Sequence, residues 1–207
     1  MGVTRLAEPE GPEVVLISTG ASPSWFDQLT MDRARSRVLA KLRAADRFGR
    51  FRAYCPVTPE GRRIVVHSKC AVIDDRLARV GSANLNNRSG GFDTELELAI
   101  EARTPQARAG LDAYLDQAVG HFLGCAWEAV AAARLAHGGL IGAIEALNGA
   151  GLLRPIEPLA LTPFGEMVAA YHLGDPVGVV DSWHPGRRPA QLDLARRLDQ
   201  LTPPQNP

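Results

Sequence analysis

Ile64-Val65-Val66-His67-Ser68-Lys69-Cys70-Ala71-Val72-Ile73-Asp74-Asp75-Arg76-Leu77-Ala78-Arg79-Val80-Gly81-Ser82-Ala83-Asn84 is two apolar runs folded about a polar turn. Arg63–His67 and Cys70–Ile73 are rich in β-branched residues and read as one outgoing strand path. Asp74-Asp75-Arg76 is a turn signal, and Leu77–Gly81 runs back. His67 and Lys69 stand two apart, so on a strand they share one face. Ser82 and Asn84, also two apart, follow the return strand. The stretch therefore predicts a hairpin that gathers an imidazole, an ammonium, a hydroxyl and an amide at one end of a sheet.

The surrounding sequence sets that hairpin in an α/β frame. Downstream, Asn84–Phe92 is polar and glycine-rich and reads as a loop, in which Gly90-Gly91 lets the chain turn. Thr94–Glu101 alternates Leu96, Leu98 and Ile100 with Glu95, Glu97 and Glu101, the pattern of a half-buried strand. Upstream, Glu13–Ser18 is a short buried strand closed by Thr19-Gly20. Ala21–Leu29 is a loop whose Trp25-Phe26 pair faces either lipid or substrate, or packs over the sheet edge. Thr30–Phe48 has helical spacing, with Ala34, Val38, Leu42 and Ala45 predicted to face the core and Arg33, Arg37, Lys41 and Arg47 off that stripe. Gly49 stops the helix and Arg50–Cys55 is the next strand, so residues 13–55 form a βαβ unit with a parallel strand pair. Thr104-Pro105 is a helix start, a cap followed by a first-turn proline. Leu111, Leu115, Ala118 and Phe122 follow at helical spacing, and residues 127–148 are helical with a break at Gly138-Gly139. Trp127, Trp183 and the stripe at 111–122 are read as core. From Gly149 onward prolines multiply. That extension is read as packing on the domain, with a short helix after Thr162-Pro163 and a last one at Ala190–Leu201.

Bulk composition restricts the function classes. Twenty-three basic residues balance 23 acidic ones in 207 residues. A neutral chain does not advertise the broad basic surface of a general nucleic-acid binder. The three cysteines, Cys55, Cys70 and Cys125, fit neither a disulfide framework nor a zinc knuckle. They read as buried reduced thiols, which favours a reducing compartment. His67-x-x-Cys70 lacks a second ligand pair, so no metal and no cofactor is expected. The first residues lack the apolar run of a signal peptide, and nothing resembles a span of about 20 apolar residues. The apolar run Val14–Ile17 comes so early that the native gene is expected to continue upstream.

The grouped side chains suit a phosphodiester. A cation and neutral donors hold the non-bridging oxygens, while an imidazole attacks phosphorus or protonates the leaving oxygen. The stretch also resembles the HKD motif of the phospholipase D superfamily, H-x-K-x4-D-x6-G-S-x-N, with His67, Lys69, Asp74, Gly81-Ser82 and Asn84 at all six fixed positions. The segment 86–95, N-N-R-S-G-G-F-D-T-E, resembles the stretch just after the motif in phospholipases D and cardiolipin synthases. Residues 13–55 resemble the second half of bacterial members. The likeness extends from residue 5 to about 148.

The resemblance implies one half of an α/β/α sandwich, with a mixed sheet and a mainly helical C-terminal extension. Residues 1–148 would be the catalytic half-domain and 149–207 the extension. Two such halves meet with their motifs facing across one site. One histidine attacks phosphorus to give a phosphohistidine; the other protonates the departing alcohol and then activates water or an acceptor alcohol. Lys69 and Asn84 would bind phosphate oxygens, with Ser82 at the pocket floor. Glu95, 28 residues after His67, would orient the histidine, and Asp74 would be more structural than catalytic. No metal is essential to that chemistry. This sequence departs from the two-motif pattern: His121, His137 and His172 lack a lysine two residues on, and His184 is followed by Pro185-Gly186. The second half is therefore expected from an upstream segment or from a homodimer partner. His67 would be the general acid/base in the first case and equivalent to its copy in the second. The expected activity is hydrolysis or phosphatidyl transfer on a phospholipid, at a cytoplasmic or membrane-peripheral location with possible membrane contact. The alternatives are a homodimeric nuclease of the same superfamily, with nucleic acid the less favoured substrate, and a non-catalytic half-domain serving in assembly or binding.

Overall fold

The structure is a computed structural model that describes residues 2–22, 24, 28–91 and 93–159. The expectations for Trp25-Phe26, for Trp183 and for the helices after Thr162-Pro163 and at Ala190–Leu201 lie outside those residues. Among the described residues no single helix is long and apolar enough to cross a membrane.

The βαβ unit read from residues 13–55 is present. Strand β1 (Val14–Ile17) pairs in parallel with β2 (Phe51–Pro56), Val14 opposite Phe51 and Ile17 opposite Tyr54. A short helix α1 (Gly2–Leu6) precedes β1, and the crossover helix α2 (Arg33–Ala45) follows a π-helical turn at Gln28–Asp32. Asp32 is buried and holds the entry to α2: its carboxylate accepts from the Ser22 amide (2.9 Å), the Ser22 hydroxyl (2.6 Å) and Arg35 (2.9 Å). At the exit Asp46 accepts from the amides of Arg50 (2.8 Å) and Phe51 (2.9 Å), which turns the chain into β2.

The hairpin is present in part: Arg63–His67, read as the first stretch of the outgoing strand, forms no strand beyond a single bridge between Val57 and Arg63. His67 and Lys69 therefore lie just before β3 (Cys70–Ile73), which pairs with β4 (Leu77–Gly81), and β5 (Glu97–Glu101) is antiparallel on the far side of β4. A short helix α3 (Asn87–Gly91) stands where the sequence reads as a loop. Helix α4 (Pro105–Leu123) starts on the Thr104 cap, whose hydroxyl accepts from the Ala107 amide at 3.2 Å. Helices α5 (Trp127–Ala136) and α6 (Leu140–Leu147) follow, broken at Gly138-Gly139 as read. The chain then adds a strand the proline pattern hid: β6 (Leu153–Pro155) lies antiparallel on β2, so the first residues of the C-terminal extension belong to the sheet.

The sequence predicts one mixed sheet. The described strands form two three-stranded sheets, β1-β2-β6 mixed and β3-β4-β5 antiparallel. Apolar burial concentrates on the first. Val119, Leu123, Val130, Ile144 and Leu153 pack with Tyr54 on one side; Leu6, Leu39, Phe51, Ala53 and Ile156 pack together in a second cluster. The second sheet has a small cluster of Ala78, Ala102 and Leu111.

Four burial expectations change. On α2 the predicted stripe holds in part: Leu42 and Ala45 pack against the core, but the fully buried residues are Ser36 and Leu39 and Val38 is 55% exposed, because the helix is rotated somewhat from that stripe. Ser36 gains no apolar burial, but its hydroxyl accepts from the Leu159 amide at 3.2 Å. β5 is not half-buried: all five of its residues are exposed. The alternation of Leu98 and Ile100 with glutamates is real, yet the small cluster of Ala78, Ala102 and Leu111 leaves Leu98 and Ile100 exposed. Trp127, expected in the core, is 44% exposed at the start of α5. None of the three thiols is fully buried; Cys55 and Cys125 are half-buried and Cys70 is exposed on β3.

Candidate active site

His67 is positioned from the first sheet. Thr19 stands two residues past β1, and its hydroxyl accepts from the Val66 amide (2.9 Å) and donates to the Val66 carbonyl (3.3 Å). One side chain thus satisfies both backbone groups of the residue before His67 and fixes that segment at the carboxyl end of a parallel strand. Ligands of open α/β sheets bind at that end. Sequence reasoning treated Thr19 as punctuation. The available signal was a hydroxyl directly after an apolar strand.

Lys69 Nζ lies 3.0 Å from His67 Nε2 and donates to the His67 carbonyl at 2.8 Å. An ammonium has donors and no acceptor, so Nε2 meets it with its lone pair. The nitrogen that would attack phosphorus and the cation that would hold a phosphate oxygen therefore adjoin, and His67 is exposed.

The ladder carries on past β3 and β4, with the Gly81 amide donating to the Lys69 carbonyl at 3.0 Å. This brings the start of the Gly81-Ser82-Ala83-Asn84 segment opposite the His67-Lys69 segment. Ser82 turns to β5: its hydroxyl donates to Glu95 Oε2 (2.5 Å) and accepts from the Leu96 amide (3.0 Å). Glu95, expected on the histidine, is engaged by Ser82. Asn84 is exposed, its side-chain amide makes no hydrogen bond among the described residues, and its backbone N–H donates to Ser89 Oγ at 3.0 Å. Beyond it, Arg88 and Asp93 pair at 2.8 Å across the following loop.

Asp74 is not brought to this end. It sits in the hairpin turn with φ 52°, a left-handed conformation that Asp tolerates. At about 3.3 Å per residue along a strand, seven steps put it on the order of 20 Å from His67. Its role here is the turn.

Two residues that the sequence reading passed over brace the site. Glu97 Oε1 accepts from the Ala83 amide (2.7 Å), and Glu97 Oε2 accepts from Arg79 Nε (2.5 Å). The Arg79 guanidinium holds the Glu97 carboxyl below the usual carboxylate range, and the Ala83 amide adds to it. The alternation places Glu97 on the solvent side of the strand, and it is exposed there. Its register opposite Gly81 was the signal. Among the described residues no group of three or more His, Cys, Asp and Glu side chains is placed to hold a metal ion.

Comparison with known proteins supports the resemblance to the phospholipase D superfamily. Residues 5–119, more than half of the chain, match the family model described as cardiolipin synthase, PLD-like domain. Phospholipase D zeta 1 of Arabidopsis thaliana is 43% identical over 56 residues, 24% of this chain and 5% of that protein. Phospholipase D zeta 2 of the same plant is 49% identical over 41 residues, 19% of this chain and 4% of its own length. Phospholipase D C of Dictyostelium discoideum is 49% identical over 43 residues, 20% of this chain and 3% of that protein. The matched stretch is thus a small part of each relative. No solved structure matches.

Proposed function

The chain belongs to the family of cardiolipin synthase, phospholipase D-like domains, and from that premise we propose that it supplies one catalytic half of a phosphodiesterase or phosphatidyltransferase acting on phospholipids. The two sheets, with helices about them, are read as one half of an α/β/α sandwich. The observation that carries the functional reading is the 3.0 Å approach of Lys69 Nζ to His67 Nε2 at the end of the hairpin.

The chemistry derives from those atoms. A phosphodiester entering beside Lys69 places a non-bridging oxygen on the ammonium and phosphorus before Nε2. Asn84, exposed with its amide uncommitted among the described residues, adds a neutral donor. In the nucleophilic role, Nε2 bonds to phosphorus as the phosphorus–oxygen bond to the alcohol breaks. The alcohol leaves with a proton from a second histidine. That histidine then takes a proton from water or an acceptor alcohol, whose oxygen displaces His67 from phosphorus. In the acid/base role His67 serves as that second histidine. Either way the site needs two imidazoles, and His67 is the one histidine of this sequence with a lysine two residues on. The other comes from an upstream segment or a second copy.

The test is turnover of a short-chain phosphatidylcholine by the chain and its His67→Ala variant, with circular dichroism confirming the fold. A loss of about 10³-fold is expected, the scale of general acid–base and nucleophilic catalysis. Full activity in a folded variant overturns the assignment. Alkaline quench and peptide mass analysis then separate the two roles, since the nucleophile carries the phosphoryl adduct.

A further inference from the structure

Helix α2 carries five basic residues and no acidic one: Arg33, Arg35, Arg37, Lys41 and Arg43. Two are committed, Arg35 to Asp32 and Arg43 to Glu157. With Ser36 and Leu39 buried and about 3.6 residues per turn, Arg33, Arg37 and Lys41 form a row turned away from them, Lys41 exposed and Arg33 and Arg37 half-exposed. Among the described residues none of the three has an ion-pair partner. Val38, beside the row, is 55% exposed, and Phe48, past the helix end, is 50% exposed with Arg50 stacked on its ring at 4.7 Å. Like charges four residues apart disfavour a helix in isolation, whereas an ordinary solvated face mixes both signs. In a chain with 23 basic and 23 acidic residues, the one-signed face is a matter of placement rather than composition.

We infer that this outer face of α2 docks on an anionic phospholipid bilayer, with Arg33, Arg37 and Lys41 meeting head groups and Val38 and Phe48 entering the interfacial layer. The inference deepens the phospholipid reading and rests on it for the choice of lipid over nucleic acid. The exposed apolar side chains favour the same choice, since a nucleic-acid backbone offers them nothing to enter. The face is connected to the site. Arg35, in the first turn of α2, donates to the Gly20 carbonyl at 3.0 Å, and the preceding residue, Thr19, holds Val66 next to His67. The first turn of α2 is thereby tied to the segment that carries His67.

The test is co-sedimentation with vesicles of phosphatidylcholine alone and of phosphatidylcholine with about one-third phosphatidylglycerol. The full chain is expected to bind the anionic vesicles selectively and to release them at high salt. Each cation near an anionic surface changes partitioning roughly fivefold, so the R33Q/R37Q/K41Q variant should lose about 100-fold. Val38→Gln should lose a few-fold at any salt. Circular dichroism of both variants checks the fold, and His67→Ala provides a chain whose docking face is untouched. Absent anionic selectivity, or equal binding by the triple variant, overturns the inference. So does tighter binding to a DNA duplex that Val38→Gln leaves unchanged. Turnover of a soluble short-chain diester is scored separately. Normal His67→Ala turnover with intact vesicle binding sinks the catalytic reading alone; lost selectivity with normal turnover sinks the docking face alone.

Discussion

Gly81 is a glycine for reasons of space. A β-carbon there would lie 2.4 Å from Glu97 Oε1 and 2.4 Å from the Leu96 carbonyl oxygen. The absent side chain leaves room for the Glu97 carboxylate to cross the middle strand and reach the Ala83 amide. Arg79 holds the far oxygen, and the segment leading to Asn84 is thereby clamped. The clamp depends on charge. The Glu97 carboxyl is held below its ordinary 4.5, chiefly by Arg79. A depressed acid supports the fold above its unfolded value and loses that support as pH falls through the folded one. The Ala83 amide resonance should therefore titrate with a midpoint below 4.5 and should lose that step in Glu97→Gln. A midpoint at or above 4.5, or a step that survives the substitution, removes the clamp. With it in place, Glu97→Ala should lower kcat/KM by up to about 10²-fold, the scale of a misplaced binding group.

At the level of elements, the features legible in the sequence are those decided by neighbours in the chain. Thr104 caps α4 three residues away, so its start could be read directly. The β3–β4 hairpin and its His67-Lys69 pair were legible because turn, alternation and motif are all local. Helix α6 starts on a partner 127 residues distant. Glu13 accepts from the Leu140 amide at 2.7 Å and the Ile141 amide at 3.3 Å, and a β-carbon on Gly139 would come within 2.5 Å of that carboxylate. No window of sequence around residue 140 contains that information. The rotation of α2, set by Leu39 in a cluster with Leu6 and Ile156, was hidden for the same reason, as was β6. Removing the distant cap should be measurable: Glu13→Ala should cost about 1 kcal/mol, the value of a helix cap, and lower Tm by about 2–4 °C. Gly139→Ala should act in the same direction. An unchanged melting curve in both would mean that the N–H groups find water at no cost.

Across the described residues apolar burial is uneven, and the proposed site lies on the more thinly packed part. The first sheet is covered by helices on clusters that include Leu6, Val130 and Ile144, each 0% exposed. In the second sheet Ala78 is the buried residue of the hairpin, and Val80, Leu96, Leu98 and Ile100 are exposed. Segments with little buried apolar contact open locally at lower free energy. The amides of β3, β4 and β5 should then exchange with deuterium at least about tenfold faster than those of β2. Equal protection would show that the two sheets open together. The same reasoning couples the site to its ligand. An anion bound by Lys69 and Asn84 ties the outgoing and return halves of the hairpin, and binding to the closed form alone stabilises it by mass action. Inorganic phosphate or tungstate should therefore slow exchange in residues 66–84 and leave 51–56 unchanged. In Lys69→Ala that protection should vanish while basal exchange stays the same, because among the described residues the hydrogen bonds of the Lys69 side chain go to His67.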